Sequence, residues 1–95
     1  MSEKRPLEWS PRSRGDIEAI RDYIALDNSV AAQSVITEIR KAAHSLRTLP
    51  MLGHVGKRPG TRELVLVRYP YTLVYRLAPA RISIIAVLHQ SRQYP

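Results

Sequence analysis

Thr61–Pro95 reads TRELVLVRYPYTLVYRLAPARISIIAVLHQSRQYP, and this stretch decides the fold. Three apolar runs, Arg62 to Arg68, Tyr71 to Leu77 and Arg81 to Leu88, are separated by Tyr69-Pro70 and by Ala78-Pro79-Ala80. Short runs rich in Val, Ile, Leu and Tyr, bounded by proline, are strands, and connections this tight make antiparallel hairpins. The segment therefore predicts a three-stranded β-meander. Alternation assigns faces. Leu64 and Leu66 share one face of the first strand, Val65 and Val67 the other. In the last strand Ile82, Ile84, Ala86 and Leu88 share a face, opposite Ile85 and Val87. Both faces are apolar, and a single helical layer covers only one. The second face needs another cover: the tail, a loop, or a partner protein.

Upstream, Met51–Gly60 (MLGHVGKRPG) holds three glycines and a proline and reads as a loop carrying Lys57 and Arg58. Ser10-Pro11 is a helix-start signal, a serine cap followed by proline in the first turn. Ile17, Ile20 and Ile24 recur at helical spacing, giving a helix from about Pro11 to Leu26. Asp27-Asn28-Ser29 breaks the pattern and offers a new cap. A second helix runs from about Val30 to Leu49, with Val35, Ile36, Ile39, Ala43 and Leu46 as its buried stripe and Pro50 as its stop. Leu7-Glu8-Trp9 adds a short strand in front. The expectation is one α+β domain over residues 1–95, ordered β-α-α-β-β-β, with a helical hairpin packed on a small antiparallel sheet.

The chain carries a formal charge of +7, unevenly spread. Residues 1–38 hold five basic against seven acidic residues; residues 39–95 hold ten basic residues against Glu63 alone. Twelve of the fifteen cations are arginine, the side chain that grips carboxylate and phosphate in two-point contacts. Such a half-molecule attracts nucleic acid, a nucleic-acid-bound machine or an acidic peptide; a merely soluble basic surface is the plainer reading. There is no cysteine, so disulfides and thiolate metal sites are excluded, which fits a reducing cytoplasm. MSEKRPLEWS lacks the apolar stretch of a signal peptide. Ile82–Leu88 falls far short of the ~20 residues of a membrane span.

Little in the sequence has the spacing of a catalytic or ligand-binding centre. His44, His54 and His89 lack metal-ligand spacing. The glycines form no phosphate loop, and no cofactor is implied. One chemistry is compatible with the residue types: metal-free RNA cleavage, which needs a base, an acid and cations for the developing phosphorane charge. His89, Tyr94, Arg62, Arg68, Arg76 and Arg92 could supply these. Alternatively, His89 is a hydrogen-bonded strand-end residue, Arg68 and Arg76 are solvated edge residues or salt-bridge partners for Glu63, and Trp9 is a core anchor rather than a base-stacking platform.

The strand–helix–helix–strand–strand–strand order resembles the ParE/RelE superfamily of bacterial toxins. So does Trp9-Ser10-Pro11 followed by Arg14, Asp16, Ile17, Ile20, Tyr23 and Ile24. Gly60–Leu64 (GTREL), Tyr71–Tyr75 (YTLVY) and Val87-Leu88-His89-Gln90 match the strand signatures in order. The resemblance implies a cytoplasmic, growth-arresting toxin of a type II toxin–antitoxin system, a class associated with plasmid stabilisation. It also implies a cognate ParD-like antitoxin that wraps the toxin in a hetero-oligomer and covers the doubly apolar sheet. The expected seat is Val65, Val67, Arg68, Arg76, Ile85 and Val87.

The superfamily divides by target. RelE-like members cut mRNA on the ribosome; ParE-like members inhibit DNA gyrase. The ending VLHQS resembles the ParE side. The nuclease pattern places arginine just before LVY of the middle strand, where this chain has Thr72, and only Lys57 and Arg58 lie near the positions of that branch's lysines. Gyrase inhibition is thus the leading expectation. The alternatives are a RelE-like endoribonuclease, with His89, Tyr94, Arg62, Arg76 and Arg92 as its residues, and an inert module that only binds antitoxin.

Overall fold

The computed structural model describes residues 4–91. Its elements are β1 (Leu7–Trp9), α1 (Pro11–Ala25), α2 (Ser29–Ser45), β2 (His54–Val55), β3 (Arg62–Val65), β4 (Tyr71–Leu77) and β5 (Ile82–His89). The fold class is the expected one, a helical hairpin on a sheet. The sheet is mixed, however, and has five strands in the order β1-β5-β4-β3-β2. β1 runs parallel to β5, pairing Leu7 with Ile82 and Trp9 with Ile84, and the other pairings are antiparallel.

The helix boundaries follow their caps. The Ser10 hydroxyl accepts the Ser13 N–H at 3.0 Å, and Pro11 sits where no N–H is needed. The Asn28 side chain accepts the Ala31 N–H at 3.0 Å and starts α2. α2 stops at Ser45, before Pro50. The next residues tighten into turns, with Leu46, Arg47 and Thr48 N–H donating to carbonyls three residues back. There Arg47 Nε donates to the Arg5 carbonyl at 3.0 Å and ties the end of α2 to the lead-in of β1.

Every residue of the expected α2 stripe is buried: Val35, Ile36, Ile39, Ala43 and Leu46. They pack with Ile17 of α1 onto Leu66, Leu73, Tyr75, Ile82 and Ile84. Burying a side chain of this size contributes about 1.5–3 kcal/mol, so this one layer holds the domain together.

Three sequence expectations need correction. First, Met51–Gly60 is not loop throughout: His54 and Val55 pair with Glu63 and Arg62. Gly53 makes this possible. Its N–H donates to the Tyr75 hydroxyl at 2.9 Å, and a Cβ there would lie 2.7 Å from the Glu63 carbonyl oxygen and 2.8 Å from the Tyr75 ring. Second, β3 ends at Val65, and the connection to β4 is longer than Tyr69-Pro70. Gln90 fastens it: its side-chain amide lies 3.2–3.4 Å from the carbonyls of Leu66, Tyr69 and Tyr71, and its backbone N–H donates to the Pro70 carbonyl.

Third, β5 does not alternate evenly. Tyr75 pairs with Ile84 and Val74 with Ala86, so Ile85 is an extra residue with no partner on β4. Such a bulge reverses the side-chain phase. Beyond it Val87, only 4% exposed, faces the helices and joins the core, while Ala86 and Leu88 turn to the second face. Val87 is therefore no part of an exposed partner-binding surface.

Candidate functional site

The bulge coincides with contacts from the start of α1. β1 is only three residues long, so β5 outruns it and would leave an open edge. Side chains from the helix N-terminus close that edge instead. Ser10 N–H donates to the Ile84 carbonyl at 3.0 Å, and its hydroxyl donates to the Ile85 carbonyl at 2.8 Å. Asp16 accepts the Val87 N–H at 2.9 Å and is braced by Arg12 at 3.7 Å. The Trp9-Ser10-Pro11…Asp16 signature is thus an edge-sealing device.

The opposite flank is left open. β2 covers β3 only at Arg62 and Glu63, so Leu64–Val67 have no strand on their outer side among the described residues. Val65 is 47% exposed and Val67 is fully exposed. Leu49, Met51, Leu52 and Val55 are exposed nearby in sequence around β2. Arg68 follows directly, its guanidinium 5.9 Å from the centre of the Tyr69 ring. The rest of the second face is less open than its apolar content suggests: Thr72, Val74 and Ala86 are buried. Glu63 is also buried, and its carboxylate accepts the Lys57 N–H at 3.1 Å, which fixes the 56–60 loop against it. Among the described residues, no ion pair joins Glu63 to Arg68 or Arg76. Gly60 completes the loop at φ +79°, a conformation that favours glycine.

Among the described residues, the nucleolytic candidates do not converge. His89 pairs with Tyr71 at one end of β4 and shares its face; the two rings meet edge-on at 5.4 Å. Its Nδ1 accepts the Ser91 N–H at 3.1 Å, with the Ser91 hydroxyl at 2.7 Å. His89 Nδ1 is thus engaged by its own chain neighbour. Arg76 lies on the other face of β4, five residues from Tyr71, or about 17 Å along the strand. Arg62, across from Tyr75, gives its guanidinium to the Gly53 carbonyl, with Nε 3.0 Å away, and approaches the Met51 carbonyl. It is a clasp on the β2 loop. Arg92 and Tyr94 lie outside the described residues. Also among the described residues, no three metal-ligating side chains converge, and no helix is long and apolar enough to cross a membrane.

A helical hairpin laid on a five-stranded mixed sheet, one edge sealed from the start of α1 and the other open, defines a small two-layer α+β protein. The family model described as "ParE toxin of type II toxin-antitoxin system, parDE" matches residues 7–94, and the chain belongs to that family. It is similar to Y4kP of Sinorhizobium fredii, a toxin by provisional designation, at 36% identity over the whole chain and 97% of the relative. It is also 36% identical to Toxin RelE2 of Caulobacter vibrioides, over 88% of this chain and 93% of that one. Among solved structures, a chain of the chromosomal ParDE toxin–antitoxin system from P. aeruginosa superposes with a TM-score of 0.82 at 25% identity, covering 93% of this chain and 98% of its own.

Sequence reasoning missed Gln90, Asp16 and Gly53 as structural determinants. Gln90 and Asp16 were visible as signature residues, but their roles depend on strands distant in sequence.

Proposed function

We propose that this protein is the growth-arresting toxin of a type II toxin–antitoxin pair, that it inhibits DNA gyrase in the cytoplasm, and that a ParD-like antitoxin neutralises it in a hetero-oligomeric complex. Family membership supports the toxin class. The dispersal of the nucleolytic candidates favours gyrase over RNA. Acid–base cleavage needs its groups within hydrogen-bond reach of one phosphodiester. Here His89 of β5 lies across from one end of β4 while Arg76 lies near its other end on the opposite face, and Arg62 is committed to loop carbonyls. A protein target places no such demand on them.

The open edge of β3 suits the antitoxin. An extended segment can add to Leu64–Val67 by backbone pairing, with Val65 and Val67 burying against it and Arg68 meeting an acidic side chain. Arg76 and Ile85 lie away from this edge and contribute less.

The test combines purified protein, gyrase and supercoiled plasmid. Gyrase-dependent accumulation of cleaved or relaxed plasmid is expected. Codon-specific cuts in ribosome-bound mRNA, lost in His89→Ala, would overturn this in favour of the second reading, a RelE-like endoribonuclease, which the similarity to Toxin RelE2 supports. Normal growth on expression without antitoxin would leave only an inert antitoxin-binding module.

A further inference from the structure

At the flank of the sheet opposite the open β3 edge, a cleft of about 500 Å³ opens where β1 meets the helical hairpin, lined by Trp9, Arg14, Ile17, Glu18, Arg21 and Arg40. Arg14, Ile17, Glu18 and Arg21 stand on one face of α1, at the spacing of successive helical turns. Arg40 comes from α2 and Trp9 from β1. None of the three guanidinium groups makes an ion pair or hydrogen bond among the described residues. Elsewhere the chain does engage such groups: Arg12, Arg81, Arg47 and Arg62 all have partners. Three unengaged arginines around one indole are therefore a concentration of unused binding capacity.

The charge pattern identifies the occupant. Along α1 it reads plus, minus, plus, with Arg14 and Arg21 about 10.5 Å apart along the helix axis. A nucleic acid strand presents uninterrupted negative charge and would meet Glu18 with repulsion. An acidic helix matches instead. Carboxylates two turns apart reach Arg14 and Arg21, a cation between them meets Glu18, and an apolar residue covers the half-buried Trp9.

We propose that this cleft is a docking site for an acidic, amphipathic helical segment of a partner protein, separate from the β3 edge. Trp9 is the sole tryptophan, so its emission reports occupancy directly.

The probe is a synthetic helical peptide with two glutamates seven residues apart, a leucine between them and a lysine placed against Glu18. Its titration should shift Trp9 emission saturably, and raising salt should weaken it. Arg14→Glu/Arg21→Glu should weaken it roughly tenfold or more. Both positions are surface-facing, so circular dichroism should be unchanged in the double variant. Glu18→Gln should weaken the peptide and strengthen a single-stranded oligonucleotide of equal charge. No saturable shift, equal affinity in the double variant, or tighter binding of the oligonucleotide to the unaltered protein would overturn the proposal. The assay uses neither antitoxin nor gyrase, so its failure would leave the proposed function untouched, and the reverse holds too.

Discussion

The two flanks of the sheet are finished in opposite ways. On the β1 side, a three-residue strand is extended by Ser10 and Asp16, which occupy the backbone groups that β1 cannot reach. On the β2 side, a two-residue strand stops early and Leu64–Val67 stay open beside two exposed valines. Open strand edges are a hazard that proteins normally blunt. This chain has the means to blunt one, and uses it only at β1. The difference supports the proposal that a partner takes the β3 edge.

The comparison can be broken experimentally. The largest effect is expected at Gly53, the point where the open flank is nonetheless anchored. Gly53→Ala forces a methyl into the Glu63 backbone and the Tyr75 ring, and should cost about 3 kcal/mol in chemical denaturation. A loss below about 1 kcal/mol would mean that β2 is pinned by something else. Next is the sealed edge. Asp16→Ala leaves the Val87 N–H without its acceptor and should cost about 2 kcal/mol, with faster hydrogen exchange at Val87. Unchanged exchange there would show that Asp16 does not seal the edge. Ser10→Ala removes a helix cap and the donor to Ile85 together and should cost about 1–2 kcal/mol. Smallest in stability, yet decisive for function, is Val67→Asp. It should change stability by less than about 0.5 kcal/mol while weakening antitoxin binding severalfold. Full antitoxin affinity in that variant would move the partner off the β3 edge.

What was legible in the sequence was whatever is encoded locally. Both helices announced themselves through Ser10-Pro11 and Asn28 and through isoleucine spacing, and the α2 stripe is buried as the period demanded. β4 ran between its expected ends, and Ala78-Pro79-Ala80 makes the expected turn, closed by Ala78 N–H to the Arg81 carbonyl. The illegible parts are those decided by distant residues. The bulge at Ile85 has no local mark, because Ser10 and Asp16 shape the β5 edge from more than sixty residues away. Strict alternation therefore put Val87 on the wrong face. His54-Val55 is too short and too glycine-flanked to read as a strand, and depends on Tyr75 holding Gly53. The arginine cleft escaped notice because its members belong to three elements.

The strand order also sets a timetable for synthesis. β5 lies between β1 and β4, so the first strand made has no neighbour until the last strand of the sheet emerges. Until residues 82–89 leave the ribosome, α1 and α2 have only part of a sheet to pack on. The contacts that close the domain span most of the chain, an arrangement that slows folding. A growing polypeptide of this kind carries no finished sheet until its last strand is made. On the proposed function, translation itself provides an interval in which an antitoxin can already be waiting.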